Sequence, residues 1–157
     1  MVDITMTPHA YAFPSKVKSG SCGHVFNVIC QGNLDNGAIR GLGAYVHFDQ
    51  YNDKNASANF TGKIVDKATN GNFYVQVTSI DADEPTVFIY EDPIPRESNS
   101  KNTSPIYFYN KAGAVVRGYE LSLFDIFEVS AEAFTTTPTV GKTVTVANTT
   151  GKLVVGA

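Results

Sequence analysis

The sequence predicts an all-β fold, a small antiparallel β-barrel or sandwich built from short hairpins and preceded by an extended N-terminal arm. Three observations carry that expectation. Asn70-Gly71 lies between Gly62-Lys63-Ile64-Val65 and Phe73-Tyr74-Val75-Gln76-Val77, a pairing that predicts a hairpin through a type I′ turn. Similar punctuation recurs at Asn36-Gly37, Asp83-Glu84-Pro85, Lys111-Ala112-Gly113 and Thr149-Thr150-Gly151, each between short runs rich in β-branched and aromatic residues. No stretch longer than about ten residues carries apolar residues at helical spacing.

The elements follow in chain order. Residues 1–21 differ from the rest, because Pro8, Pro14 and Gly20 break any regular element while Tyr11, Phe13 and Val17 remain available to pack. Fully extended, such a segment reaches at most roughly 70 Å. Two readings stand: a frayed terminus, and an arm that docks on a neighbouring subunit through Tyr11, Phe13 and Val17. Disordered tails seldom carry three large apolar residues so close together, which keeps the docking reading beside the frayed one. An arm of this kind is removable without loss of stability; an ordinary core strand is not.

Residues 22–157 form the β domain. Strand signals begin at Cys22 with Val25 and Ile29, and a turn follows across Asn33 to Gly37. Ala44-Tyr45-Val46-His47-Phe48 alternates as a half-buried strand does. The polar segment 52–59 reads as a loop, and Phe60 to Val77 as the hairpin above. Thr86-Val87-Phe88-Ile89-Tyr90 is continuously apolar, as expected of a strand buried on both faces. Residues 93–105 hold three of the seven prolines and form the longest loop, either a lobe boundary or a contact loop presenting Arg96, Asn99 and Lys101. Ile106-Tyr107-Phe108-Tyr109, Val115-Val116 and Ile126-Phe127-Glu128-Val129 are further strand runs. Ser130 is placed to cap one helical turn over 130–134. Thr143-Val144-Thr145-Val146 and Leu153-Val154-Val155 predict a terminal hairpin.

The 157 residues suffice for one domain or two small lobes, and at this size roughly 68–70% of the extended chain's surface is buried without help from disulfides or metals. A hydrophobic fraction of 43% with only 17% charged residues is globular, with surface polarity supplied by Thr, Ser and Asn. Uncharged polar surface desolvates more cheaply than charged surface, which suits contact with other proteins. Net charge is −3 and the twelve basic residues are scattered, so the stripe that a phosphate backbone requires is missing and nucleic acid is not an expected partner. No apolar run approaches the roughly 20 residues of a membrane span, and the first residues lack a signal-peptide pattern. The sequence therefore predicts a protein made and folded in a cytoplasm, with Cys22 and Cys30 as thiols.

Residues of a type that carries chemistry are few. Cys22, His24 and Cys30 share one face of a strand if 22–30 is a strand, but their spacing lacks the tight ligand pairs of structural zinc, and no metal or other cofactor is expected. His9, His24 and His47 belong to no metal or hydrolase motif, and no nucleophile elbow occurs. Glu91 with Asp92, or Glu128 with Glu132, are candidate acid/base pairs that read better as solvated carboxylates. Asp81-Ala82-Asp83-Glu84 matches a calcium loop only in acidity. Four Asn-x-Ser/Thr triplets, at Asn55, Asn59, Asn102 and Asn148, occur where about two are expected from this composition, and without a signal peptide they are not expected to meet the glycosylation machinery. Eight tyrosines and ten phenylalanines invite a carbohydrate-binding reading, weakened by the absence of Trp. No catalytic residue is expected.

Gly113-Ala114-Val115-Val116-Arg117-Gly118-Tyr119-Glu120-Leu121, Asp125-Ile126-Phe127-Glu128-Val129-Ser130 and Pro138-Thr139-Val140-Gly141-Lys142-Thr143-Val144 together resemble capsid decoration (head auxiliary) proteins of tailed bacteriophages. The likeness spans about residues 40–157 and consists of turn and strand grammar, with a Pro-x-Val-Gly turn and a closing Gly-Lys-Leu hairpin. It implies a non-enzymatic virion protein that binds the outside of the assembled head and bridges major capsid subunits, made in the bacterial host. It also implies a homo-oligomer, commonly a trimer. Rival classes are a head fibre or spike binding a receptor or glycan, and a tail-tube component.

Overall fold

A computed structural model describes residues 8–14, 17, 25–54, 60–80, 83, 85–91, 109–147 and 150–156. The chain is all-β. Its strands are β1 (Ala12–Phe13), β2 (Val25–Ile29), β3 (Ile39–Tyr45), β4 (Gln50–Lys54), β5 (Phe60–Lys67), β6 (Phe73–Ile80), β7 (Thr86–Tyr90), β8 (Val115–Glu120), β9 (Ile126–Val129), β10 (Thr143–Val146) and β11 (Leu153–Val155). They form two sheets. One closes into a five-stranded barrel in the order β2-β4-β3-β7-β8, and the other is open, in the order β1-β9-β6-β5-β10-β11. The barrel contains one parallel pair, β2 with β4, and is otherwise antiparallel.

β7 is where the two sheets meet. Alternation along a strand sends successive side chains to opposite faces, and here both faces are dry. Val87 and Ile89 join Val28, Cys30, Leu34, Ala38 and Val116 in one buried cluster. Phe88 belongs to the other, with its ring 4.8 Å from that of Phe127 on β9. The continuous apolar run that predicted a doubly buried strand is thus accounted for. The first cluster is narrow: a Cβ on Gly118 of β8 would lie 2.7 Å from Val28 Cγ2 and 3.0 Å from Val87 Cβ, so only glycine fits. The terminal hairpin also forms, with Val144 opposite Val155 and Val146 opposite Leu153.

The strand runs at Val115-Val116 and Ile126–Val129 form as β8 and β9, whereas residues 52–54 of the segment read as a loop belong to β4, and other expectations also need correction. The β5–β6 hairpin exists, but its connection runs over five residues, 68–72, with Gly71 at φ 92° and Asn70 outside the left-handed region. Gly71 N donates to Ala68 O, closing a turn that ends in a left-handed glycine, while Asn70 Oδ1 accepts from Asn72 N. Ser130 does precede a 3-10 turn, Ala131–Ala133, yet its side chain does not cap it. Its Oγ accepts instead from Tyr11 N, and its own N–H donates to Tyr11 O.

That reciprocal pair belongs to the largest revision. The segment read as a frayed terminus, or as an arm for a neighbouring subunit, is docked on its own domain at residues 8–14 and 17. β1 pairs with β9 at one edge of the open sheet, with Ala12 opposite Val129 and Phe13 opposite Glu128. Ala10, Ala12 and Val17 are buried in the sheet's core. The small side chains at 10 and 12 let the chain lie close against β9, and Val17 fills the space beyond. Residues 93–105, read as a lobe boundary or a contact loop, lie outside the described residues. The strands β7 and β8, which precede and follow them, pair with each other from Val87–Glu120 to Tyr90–Arg117.

Candidate functional site

Strand directions place the starts of β2, β4 and β7 and the ends of β3 and β8 at one end of the barrel. The β3–β4 turn and the β8–β9 connection both lie there. Ala44–Phe48, expected as a half-buried strand, is exposed: β3 stops at Tyr45, and Val46, His47 and Phe48 run into the turn. Val46 N donates to Gln50 O and Gln50 N to His47 O, so the turn has two central residues, Phe48 and Asp49. Their φ angles are 53° and 57°. This is the φ pattern of a type I′ turn, which favours Asn-Gly or Gly-Gly. A left-handed conformation costs an ordinary L residue roughly 1–2 kcal/mol. Phe48 bears that cost while being 81% exposed, so packing of its ring within the domain does not compensate for it.

The same happens at the β8–β9 connection. Asp125 N donates to Ser122 O, closing a turn whose third residue, Phe124, has φ 71°. Type II turns want glycine there. The turn is braced: Asp125, buried, accepts from Ser122 N through Oδ2, and Phe124 N donates to Val77 O. Phe124 is 67% exposed. Among the described residues Phe48, Asp49 and Phe124 are the non-glycine positions with positive φ, and Phe48 and Phe124 are also the most exposed large apolar side chains. Strained backbone persists where surrounding structure fixes it, and it concentrates at contact and switch sites.

An aromatic base supports the β3–β4 tip. Tyr51 stands edge-on to Phe26 at 5.7 Å and to Tyr45 at 5.5 Å, and the His47 ring lies 4.7 Å from Phe48. Tyr45 and Val46 are exposed beside it, as is Leu123 beside Phe124. The end as a whole offers large apolar side chains on short, hydrogen-bonded turns. Such an arrangement buries area against another surface with little loss of chain entropy.

The opposite end of the barrel has a different character. Asn36 is buried and satisfied on every side: its Nδ2 donates to Glu91 O, and its Oδ1 accepts from Glu91 N and from Asn110 Nδ2. Asn33 Oδ1 accepts from Ala112 N. Arg40 and Asp53 form a buried ion pair at 3.3 Å, and Asp53 also accepts from Gln31 N. Next to them Cys30 carries a free, buried thiol. Burial and then the Asp53 carboxylate push it up to about 11, with Arg40 pulling the other way, so it stays protonated and unreactive at neutral pH.

A cleft of about 230 Å³ opens beside this end, lined among others by His9, Asn33, Asp35, Thr150 and Lys152. Asp35 is occupied: one oxygen lies 2.6 Å from His9 Nδ1 and the other accepts from Ala10 N. The His9 ring stacks on Tyr109 at 4.8 Å. These contacts tie the N-terminal segment to the domain, which is sufficient reason for a histidine–carboxylate pair here.

The residues expected to bind partners are placed unevenly. Val17 is buried and unavailable in this conformation, Tyr11 is half-buried, and Phe13 is 41% exposed at the sheet edge, its ring 6.2 Å from that of Tyr11. Arg96, Asn99 and Lys101 lie outside the described residues, as do Cys22 and His24. Among the described residues no group of three or more His, Cys, Asp or Glu side chains is arranged to hold a metal ion. Sequence reasoning missed Phe48 and Phe124. The available signal was a large apolar residue flanked by turn-forming polar ones, His47-Phe48-Asp49 and Ser122-Leu123-Phe124-Asp125. Compared with known proteins, the chain matches no family model, no curated protein and no solved structure.

Proposed function

We propose that this protein is a structural component of a tailed-bacteriophage virion that binds the outer surface of the assembled head and reinforces contacts between major capsid subunits, without catalysing a reaction. The observation that carries the reading is the pair of exposed phenylalanines held on strained, hydrogen-bonded turns at one end of the barrel. That is the outlay of a protein-binding face. The decoration-like turn and strand grammar of the C-terminal half points the same way, and the low charge content makes surface cheap to desolvate. A single standard contact buries about 1,200–2,000 Å². Self-association of the protein, as a trimer for instance, multiplies such contacts and strengthens the hold through avidity.

Binding to the intact shell alone stabilises that shell by linkage. The test adds purified protein to expanded heads lacking it and measures co-sedimentation and the temperature of DNA release. Co-sedimentation with a higher release temperature is the expected result. Binding to tails only, or to free glycan with no affinity for heads, moves the assignment to a tail-tube or receptor-binding protein. Head binding without a rise in release temperature keeps the location and discards the reinforcing role.

A further inference from the structure

Two Asn-Gly pairs occur in the chain, Asn36-Gly37 and Asn70-Gly71, and the fold treats them in opposite ways. Asn36 is 3% exposed, with Nδ2 and Oδ1 both bonded to Glu91 main-chain groups and Oδ1 to Asn110 as well. Its neighbour Gly37 donates its N–H to Ile89 O on β7, and Val129 and Ala12 fill the space beside it. Asn70 and Gly71 are both exposed, on the connection between β5 and β6. Beyond the adjacent residues, no atom lies within 4 Å of the place a Cβ on Gly71 would occupy. Asn70 Oδ1 accepts from Asn72 N, and its Nδ2 has no hydrogen-bond partner among the described residues. The Gly71 N–H donates to Ala68 O within the same turn.

We infer that Asn70 is a site of spontaneous deamidation in the folded protein and that burial protects Asn36 from the same reaction. The Gly71 nitrogen attacks Asn70 Cγ, so that a Cγ–N bond forms and the Cγ–Nδ2 bond breaks. Nδ2 takes up one proton in exchange for the one lost from Gly71 N and leaves as ammonia, giving a five-membered cyclic imide. Water then opens the imide at either carbonyl and leaves aspartate or isoaspartate at position 70. Glycine favours the attack, because no side chain hinders its nitrogen and its backbone rotates easily. The bond that must first open, Gly71 N to Ala68 O, lies in a surface turn, where opening costs little. At Asn36 the reaction requires loss of a buried amide network and of a bond to β7, which needs the barrel itself to open. The product adds a negative charge to a chain whose net charge is −3. Charge therefore changes with age at the β5–β6 connection, while the buried asparagine of the barrel keeps its amide.

The test incubates the purified full-length protein at mildly alkaline pH, folded or in urea, and follows both sites by tryptic peptide mapping with fragmentation mass spectrometry. Trypsin separates them: cleavage after Lys18 and Arg40 releases the peptide with Asn36, and cleavage after Lys67 and Arg96 the peptide with Asn70. In the folded protein Asn70 is expected to convert at least about tenfold faster than Asn36, and in urea the two rates converge. The converted Asn70 peptide becomes a substrate for isoaspartyl methyltransferase. Asn70→Gln abolishes that signal, because ring closure on the longer side chain is slow. Circular dichroism at the end of each incubation verifies that the folded samples stayed folded. Conversion of Asn70 in urea but not in the folded protein overturns the inference, since the turn then protects its amide. Equal conversion at both sites in the folded protein overturns it as well, since burial then confers no selectivity.

Discussion

The two ends of the barrel solve opposite problems with the same strands. At the polar end, side chains that folding removes from water meet partners within the domain: Asn36 meets Glu91 and Asn110, Arg40 meets Asp53 through one guanidinium nitrogen, and Asp35 meets His9 and Ala10. At the aromatic end, Tyr45, Val46, Phe48, Leu123 and Phe124 are left in water, two of them on backbone that glycine would adopt more easily. The first end closes the fold, because an unmatched buried polar group costs more than a hydrogen bond gains. The second is unfavourable for the isolated domain, a cost that the proposed head-binding role would offset. The difference separates residues that hold the protein together from residues that do not.

Five measurements break or sharpen that contrast. Asp53→Ala removes the buried carboxylate that faces the Arg40 guanidinium, and chemical denaturation is expected to show a loss of about 3–5 kcal/mol. A deletion of residues 1–17 removes Val17, Ala10 and Ala12 from the core together with the His9–Asp35 pair, for a comparable loss of about 3–5 kcal/mol. Retention of wild-type stability after that deletion would restore the removable arm. Asn36→Ala unpairs Glu91 main-chain groups and the Asn110 amide, and thermal unfolding is expected to reveal about 2–3 kcal/mol.

The Cys30 thiol gives a fourth measurement. Its pKa is raised in the folded protein to about 11 from an ordinary value of 9.0, so the unfolded chain loses that proton first as pH rises. Stability is then fully present below about pH 9 and declines toward pH 11, by an amount on the order of 2 kcal/mol, with the decline reduced in Cys30→Ala. The smallest effects belong to the aromatic end. Phe48→Gly and Phe124→Gly each shift stability by less than about 1 kcal/mol, upward, as strain is relieved. A clear loss in either variant would show that its ring holds the fold rather than waiting for a partner.

Legibility in the sequence followed the distance over which each feature is decided. The β5–β6 and β10–β11 hairpins were readable because both strands and their turn lie within about twenty residues, and the doubly buried β7 because its run is continuously apolar. The turn types were not. Asn70-Gly71, the strongest type I′ signal, sits in a five-residue connection, while the type I′ φ pattern appears at Phe48-Asp49, which carries no such signal. Local preference proposes a turn, but the register of β3 against β4, with its shift between Leu42 and Tyr45, decides where the chain reverses. For the same reason Ala44–Phe48 alternates like a strand in sequence and lies exposed in space.

By itself, then, the chain determined its all-β character, most of its strands and the hydrophobic identity of its core, since period-two patterning and turn-forming residues act over a few neighbours. Only the tertiary structure decided which strands close into a barrel, that β2 and β4 run parallel, and that Ala12–Phe13 pair with β9 of their own domain. It also decided that Arg40 meets Asp53 in the interior and that Phe48 and Phe124 stand at one end of the barrel. Each of these depends on pairings between segments far apart in the chain. Such pairings are selected by shared burial and by the satisfaction of buried polar groups, and no local pattern encodes them.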